Sequence, residues 1–172
     1  MKIKALLVLA ISIFSASNVS AQETAETKAT NYDQSFRLGF GLNGGVPAND
    51  YVYDYSLGAD VRLQYDLTKR TSLVLTTGFT NLFIQNDVKD LGFIPVKAGF
   101  KAFVWEDQFY VLGELGGGFV VTNTEVYKKN TYLWAPGIGY ANKNFDLSLR
   151  YESYTEYDTD QIALRLAYGF EL

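Results

Sequence analysis

The charged side chains of this chain keep two-residue spacing with glycines or with one another: Arg37 before Gly39 and Gly41, Asp60 and Arg62 after Gly58, Lys97 and Lys101 around Gly99, Glu114 before Gly116, and Arg150 beside Glu152. Arg165 holds the same spacing within LRLAYG, two residues before Ala167 and four before Gly169. On an extended strand, a spacing of two places such groups on one face. Six cations (Arg37, Arg62, Lys97, Lys101, Arg150 and Arg165) then share that face with the carboxylates Asp60, Glu114, Asp146 and Glu152. Charges withdrawn from water are tolerable only when paired. The chemistry on offer is ion pairing: a plug of charges filling a narrow interior, with a gated polar path or a small-anion site as the alternative.

Other chemistries fare worse. The chain has no histidine and no cysteine, so a Ser-His nucleophile, a thiolate metal site and a disulfide framework are excluded. No carboxylate pair stands out for acid–base work, so the chain is read as a non-enzyme without cofactor or metal. Gly39, Gly41 and Gly44 satisfy G-x-G-x-x-G, yet that fingerprint needs a helix N-terminus to hold pyrophosphate. Here Pro47, Asn49 and Asp50 follow instead, so the glycines are read as strand residues. Glu156, Asp158 and Asp160 repeat every second residue, which on a strand would align three carboxylates for a divalent cation. They are read first as a solvated acidic rim. Tyr127, Lys128 and Lys129 are read first as a solvated loop tip, with contact to lipopolysaccharide phosphates as the alternative. An acidic chain without a basic stripe gives no nucleic-acid surface.

The elements that position these residues are eight strands read largely from period-two alternation, at 35–46, 53–66, 71–83, 93–105, 109–121, 131–141, 145–154 and 160–172. Phe36, Leu38, Phe40 and Leu42 oppose Arg37, Gly39 and Gly41; Ile162, Leu164 and Leu166 oppose Gln161, Ala163 and Arg165. Pro136 cannot donate to a ladder and predicts a bulge in the sixth strand. Short connections (67–70, 106–108, 142–144) alternate with longer ones (47–52, 82–92, 122–130, 155–159), as in outer-membrane barrels. Aromatic residues gather near strand ends (Tyr53, Tyr55, Tyr65, Trp105, Phe109, Phe145, Tyr154, Tyr168 and Phe170), which suits girdles at two membrane interfaces. The expectation is an all-β, eight-stranded antiparallel up-and-down transmembrane β-barrel over 35–172, with its apolar face outward. A soluble ligand-binding barrel is the inverted alternative.

Residues 1–21 read as a signal peptide: Lys2 and Lys4, an apolar run of about ten residues, then small residues ending at Ala21, with cleavage before Gln22. That run is too short to cross a bilayer as a helix. Cleavage would leave 151 of 172 residues, with 13 cations against 19 carboxylates. Residues 22–34 are polar and read as a disordered periplasmic lead-in.

The segments IPVKAGFK (94–101), FYVLGELGGGF (109–119) and APGIGY (135–140) with FDLSLRY (145–151) resemble the small outer-membrane β-barrels of Bacteroidetes, and more distantly the OmpA/OmpX-type barrels. The terminal YGFEL resembles the signal read by barrel-assembly machinery, with Leu172 in place of the commoner phenylalanine. The resemblance implies a monomer in the Gram-negative outer membrane, in contact with lipid and lipopolysaccharide. Its implied role is structural or surface interaction, with a narrow channel for small or hydrophobic solutes as the alternative. One fold hosts many functions, so the activity is not implied.

Overall fold

The computed structural model describes residues 34–49, 53–84, 90–105, 107–122 and 130–172. The leader, its cleavage point at Ala21 and Gln22, residues 22–33 of the lead-in and the tip at 127–129 lie outside the described residues.

Alternating apolar and polar residues form eight strands: β1 (Phe36–Pro47), β2 (Tyr55–Asp66), β3 (Thr71–Phe83), β4 (Leu91–Trp105), β5 (Phe109–Val120), β6 (Thr131–Ala141), β7 (Phe145–Tyr154) and β8 (Thr159–Glu171). Each pairs antiparallel with its neighbour, and β1 pairs with β8, so the sheet closes into a barrel without a free edge. The register opposes Gly39 to Arg62 on one side and to Gly169 on the other. Closure satisfies the backbone within the sheet, the condition for crossing hydrocarbon with strands.

The two faces are inverted relative to a soluble barrel. Among the described residues thirty-one large hydrophobic side chains are exposed on the outside, whereas the buried set includes Asp60, Arg62, Lys97, Lys101, Glu114, Arg150, Glu152 and Arg165. That outer surface far exceeds the apolar patch a soluble monomer shows. Aromatic pairs ring both ends across neighbouring strands. At the end with short connections, here the turn end, Phe36 meets Tyr65 at 4.7 Å and Phe145 meets Tyr168 at 5.4 Å; at the loop end, Tyr55 meets Phe83 at 4.6 Å.

Pro136 behaves differently from the sequence expectation. Pairing of β6 with β7 lapses at Ala135 and Pro136, but the register from Trp134↔Ser153 resumes unshifted at Gly137↔Arg150. Proline removes a donor without adding a residue, so the ladder opens locally and no bulge forms. Pro95 does the same between β3 and β4, where pairing skips from Thr77↔Val96 to Thr80↔Phe93. The register shift sits instead between Phe103 and Trp105 of β4, opposite Tyr110 and Phe109 of β5. Two of the expected girdle aromatics also point inward: Tyr53 and Tyr154 are buried at the loop end. Tyr154 shares the parity of Arg150 and Glu152, so the pleat turns it into the lumen.

Candidate functional site: the charged lumen

Inward-facing residues stack in layers from the turn end to the loop end. The mouth layer holds Arg37, half-exposed, whose Nε donates to Asp66 at 2.8 Å. Asp66 also accepts from Ser72 Oγ at 2.7 Å and from Gln64 Nε2.

The second layer joins strands far apart in sequence. Arg165 donates to both oxygens of Asp60, from Nε at 2.9 Å and Nη2 at 2.6 Å, a bidentate fork. Lys101 Nζ donates to Asp146 at 2.7 Å and lies 3.9 Å from the centroid of the Tyr110 ring, a cation–π contact. Tyr110 in turn donates to the second oxygen of Asp146 at 2.7 Å.

Glu114 is the centre of the third layer. Its Oε1 accepts from Arg62 Nη2 at 3.0 Å and from Thr76 Oγ1 at 2.7 Å. Its Oε2 has Arg150 Nη1 at 3.6 Å and Lys97 Nζ at 3.7 Å. Lys97 donates to Glu152 at 2.9 Å, and Arg150 Nη1 lies 3.3 Å from the same oxygen. In the fourth layer Gln161 donates to Glu152, while its Oε1 accepts from Ser56 at 2.7 Å and Tyr53 at 3.2 Å. Tyr154 donates to the same Glu152 oxygen as Gln161, Oε2, at 2.8 Å.

Above these polar layers, Tyr53, Leu82, Leu91, Phe93, Leu133 and Tyr154 pack together at the loop end, with Phe93 wholly buried. The ring of Phe93 meets that of Tyr154 edge-on at 5.3 Å. At the opposite end a vestibule of about 680 Å³ opens, and Arg62, Lys101, Asp146 and Arg165 form its floor.

The sheet therefore gathers Asp60, Arg62, Lys97, Lys101, Glu114, Arg150, Glu152 and Arg165 in the buried interior, in two bonded sets. One is Arg62, Lys97 and Arg150 around Glu114 and Glu152; the other is Arg165 and Lys101 with Asp60 and Asp146, which Gln64 and Asp66 connect to Arg37 at the mouth. Glycine makes room for these side chains, as at Gly41 and Gly137. A Cβ on Gly41 would fall 2.8 Å from the Arg165 guanidinium, and one on Gly137 would fall 2.8 Å from Arg150 Cγ. Sequence reasoning missed Asp66, Tyr110, Ser56 and Gln161 as members. Their inward parity was visible; their charge partners were not. The acidic triplet at 156–160 does not keep extended spacing. Thr155–Tyr157 form a 3₁₀ turn, Asp158 adopts φ 48, and Asp160 accepts hydrogen bonds from Tyr151 and Asn49. Among the described residues no group of three or more Asp or Glu side chains is placed to hold a metal ion. Gly39, Gly41 and Gly44 all lie within β1, with no helix following.

No family model matches the chain, and no curated protein matches it. Solved structures do. Ail, the attachment invasion locus protein of Yersinia pestis in complex with the heparin analogue sucrose octasulfate, superposes with TM-score 0.53 at 16% identity, covering 81% of this chain and 97% of Ail. The N-terminal β-barrel domain of Pseudomonas aeruginosa OprF gives TM-score 0.51 at 14% identity, covering 80% and 99%. A de novo designed transmembrane β-barrel gives 0.52 at 17% identity, covering 77% and 94%. The fold of this chain is that of the small eight-stranded outer-membrane β-barrels.

Proposed function

We propose that this chain is a non-conducting barrel of a Gram-negative outer membrane, acting as a structural or surface-interaction protein. The reading includes export through removal of residues 1–21, a periplasmic lead-in, insertion by barrel-assembly machinery, and life as a monomer among lipid and lipopolysaccharide. The inverted faces and the aromatic pairs at both ends support membrane placement. The short connections then face the periplasm and the longer ones the exterior.

The observation that carries the non-conducting role is the closed upper lumen. Lys97, Glu114, Arg150 and Glu152 span the interior, and the Phe93–Tyr154 cluster lies above them. An eight-strand barrel is about wide enough for side chains to fill, and above the vestibule they do. With no histidine, a Ser-His hydrolase has no base. Ail has the same fold and was solved with a heparin analogue bound, which supports surface interaction as work this fold performs. The vestibule favours one second reading, a gated narrow path that begins at the turn end.

Planar-bilayer recording of the refolded barrel separates the two. The proposal predicts no discrete openings in the wild type. Openings whose size or frequency changes on Lys97→Ala or Glu114→Ala would replace it with the gated path.

A further inference from the structure

The lumen carries more positive than negative charge. Among the described residues its six cations, Arg37, Arg62, Lys97, Lys101, Arg150 and Arg165, meet five carboxylates, Asp60, Asp66, Glu114, Asp146 and Glu152. The surplus can be located. Arg37 pairs with Asp66, Arg165 with Asp60 and Lys101 with Asp146. That leaves Arg62, Lys97 and Arg150 to share Glu114 and Glu152.

Hydrogen bonding points to the same layer. Arg62 Nη1 and both Nε and Nη1 of Arg150 make no hydrogen bond within the protein, although these side chains are 3% and 2% exposed. Glu114 Oε2 likewise lacks one; its neighbours are the cations Lys97 and Arg150 at 3.7 and 3.6 Å. Buried donors of charged groups rarely go unsatisfied, because the cost is large. A surplus buried charge is costlier still. The vestibule supplies a route in: Arg62 lines its floor, and its wall carries six cationic against four carboxylate side chains. Such a wall enriches anions.

We propose that one small monovalent anion, of halide size, binds against Arg62 at the vestibule floor and neutralises the surplus charge of the Arg62–Lys97–Arg150 layer. The site is independent of whether the barrel conducts. A multivalent or bulky anion fits less well, because one charge is in excess and the Arg62 donor lies deep.

The test uses the full refolded barrel in zwitterionic detergent, with chloride titrated against gluconate at constant ionic strength. The wild-type thermal midpoint, read by heat-dependent gel mobility, should rise with chloride and saturate. Arg62→Gln removes the surplus cation, and Ser148→Asp supplies a built-in carboxylate two residues before Arg150 on the same inward face; both should abolish the rise. Crystals soaked in bromide should show anomalous scattering within hydrogen-bond distance of Arg62 Nη1. Equal response to chloride and gluconate in the wild type overturns the proposal. So does bromide found only at exposed lysines, or water alone beside Arg62. If Arg62→Gln does not fold, Ser148→Asp and the wild-type bromide signal still decide.

Discussion

The two halves of the lumen solve one problem by opposite means. The loop-end half is closed by apolar packing, with Leu82, Leu91, Phe93 and Leu133 at most 2% exposed. The turn-end half is left open as a charged vestibule of about 680 Å³. Between them lies the Glu114 layer, too dense in ion pairs to be a passage and too deep to be a surface. Apolar side chains seal because water has nothing to bind there. Charges alone seal less well, since an ion-pair layer attracts the water and ions it would have to exclude. Both close the barrel, the cap more tightly, and the charged layer also fixes its shape.

Substitutions sharpen that division in order of size. Glu114→Ala removes the carboxylate that Arg62, Lys97 and Arg150 share, and leaves buried cations unpaired. It should cost about 3–5 kcal/mol in urea unfolding of the refolded barrel. Phe93→Ala, in the cap, should cost about 3 kcal/mol through cavity formation, but should leave the barrel non-conducting because the charged layer still spans the lumen. Combined with Glu114→Ala it should conduct, and a silent double variant would show that another element closes the path. Phe100→Arg places a charge on the outer face and should cost roughly 2–4 kcal/mol in lipid, which tests the face assignment itself. Arg37→Ala, at the half-exposed mouth, should cost at most about 1 kcal/mol. A mouth effect as large as the Glu114 effect would dissolve the distinction between vestibule and layer.

The sequence carried the faces well and the layers poorly. Period-two alternation shows that Arg62 and Glu114 both point away from Phe40 and Leu164, because parity is local to each strand. It does not show that they meet, since 52 residues separate them and the contact depends on strand stagger around a closed barrel. Arg165 and Asp60 are 105 residues apart, and their bidentate pair was equally invisible. Proximity to a strand end suggests girdle positions for Tyr53 and Tyr154, but Tyr154 has the inward parity of Glu152, and Tyr53 lies ahead of β2, where the alternation that turns Tyr55 outward does not reach. Pro136 was misread because a missing donor was equated with an extra residue. Gly41 and Gly137 were legible in kind, as space for long side chains, but not in their partners Arg165 and Arg150.

The lumen is reachable from the turn end down to the Arg62 layer and closed above it. The chain has no cysteine, so a single introduced thiol reports access without background. In the barrel reconstituted in lipid vesicles, Gln64→Cys on the vestibule wall and Ser56→Cys beneath the cap should be exposed to a small charged thiosulfonate on both sides of the bilayer. The account predicts rapid modification of Gln64→Cys and protection of Ser56→Cys until the barrel is unfolded. Comparable modification of both thiols in the folded barrel would mean a continuous water path, and would contradict it.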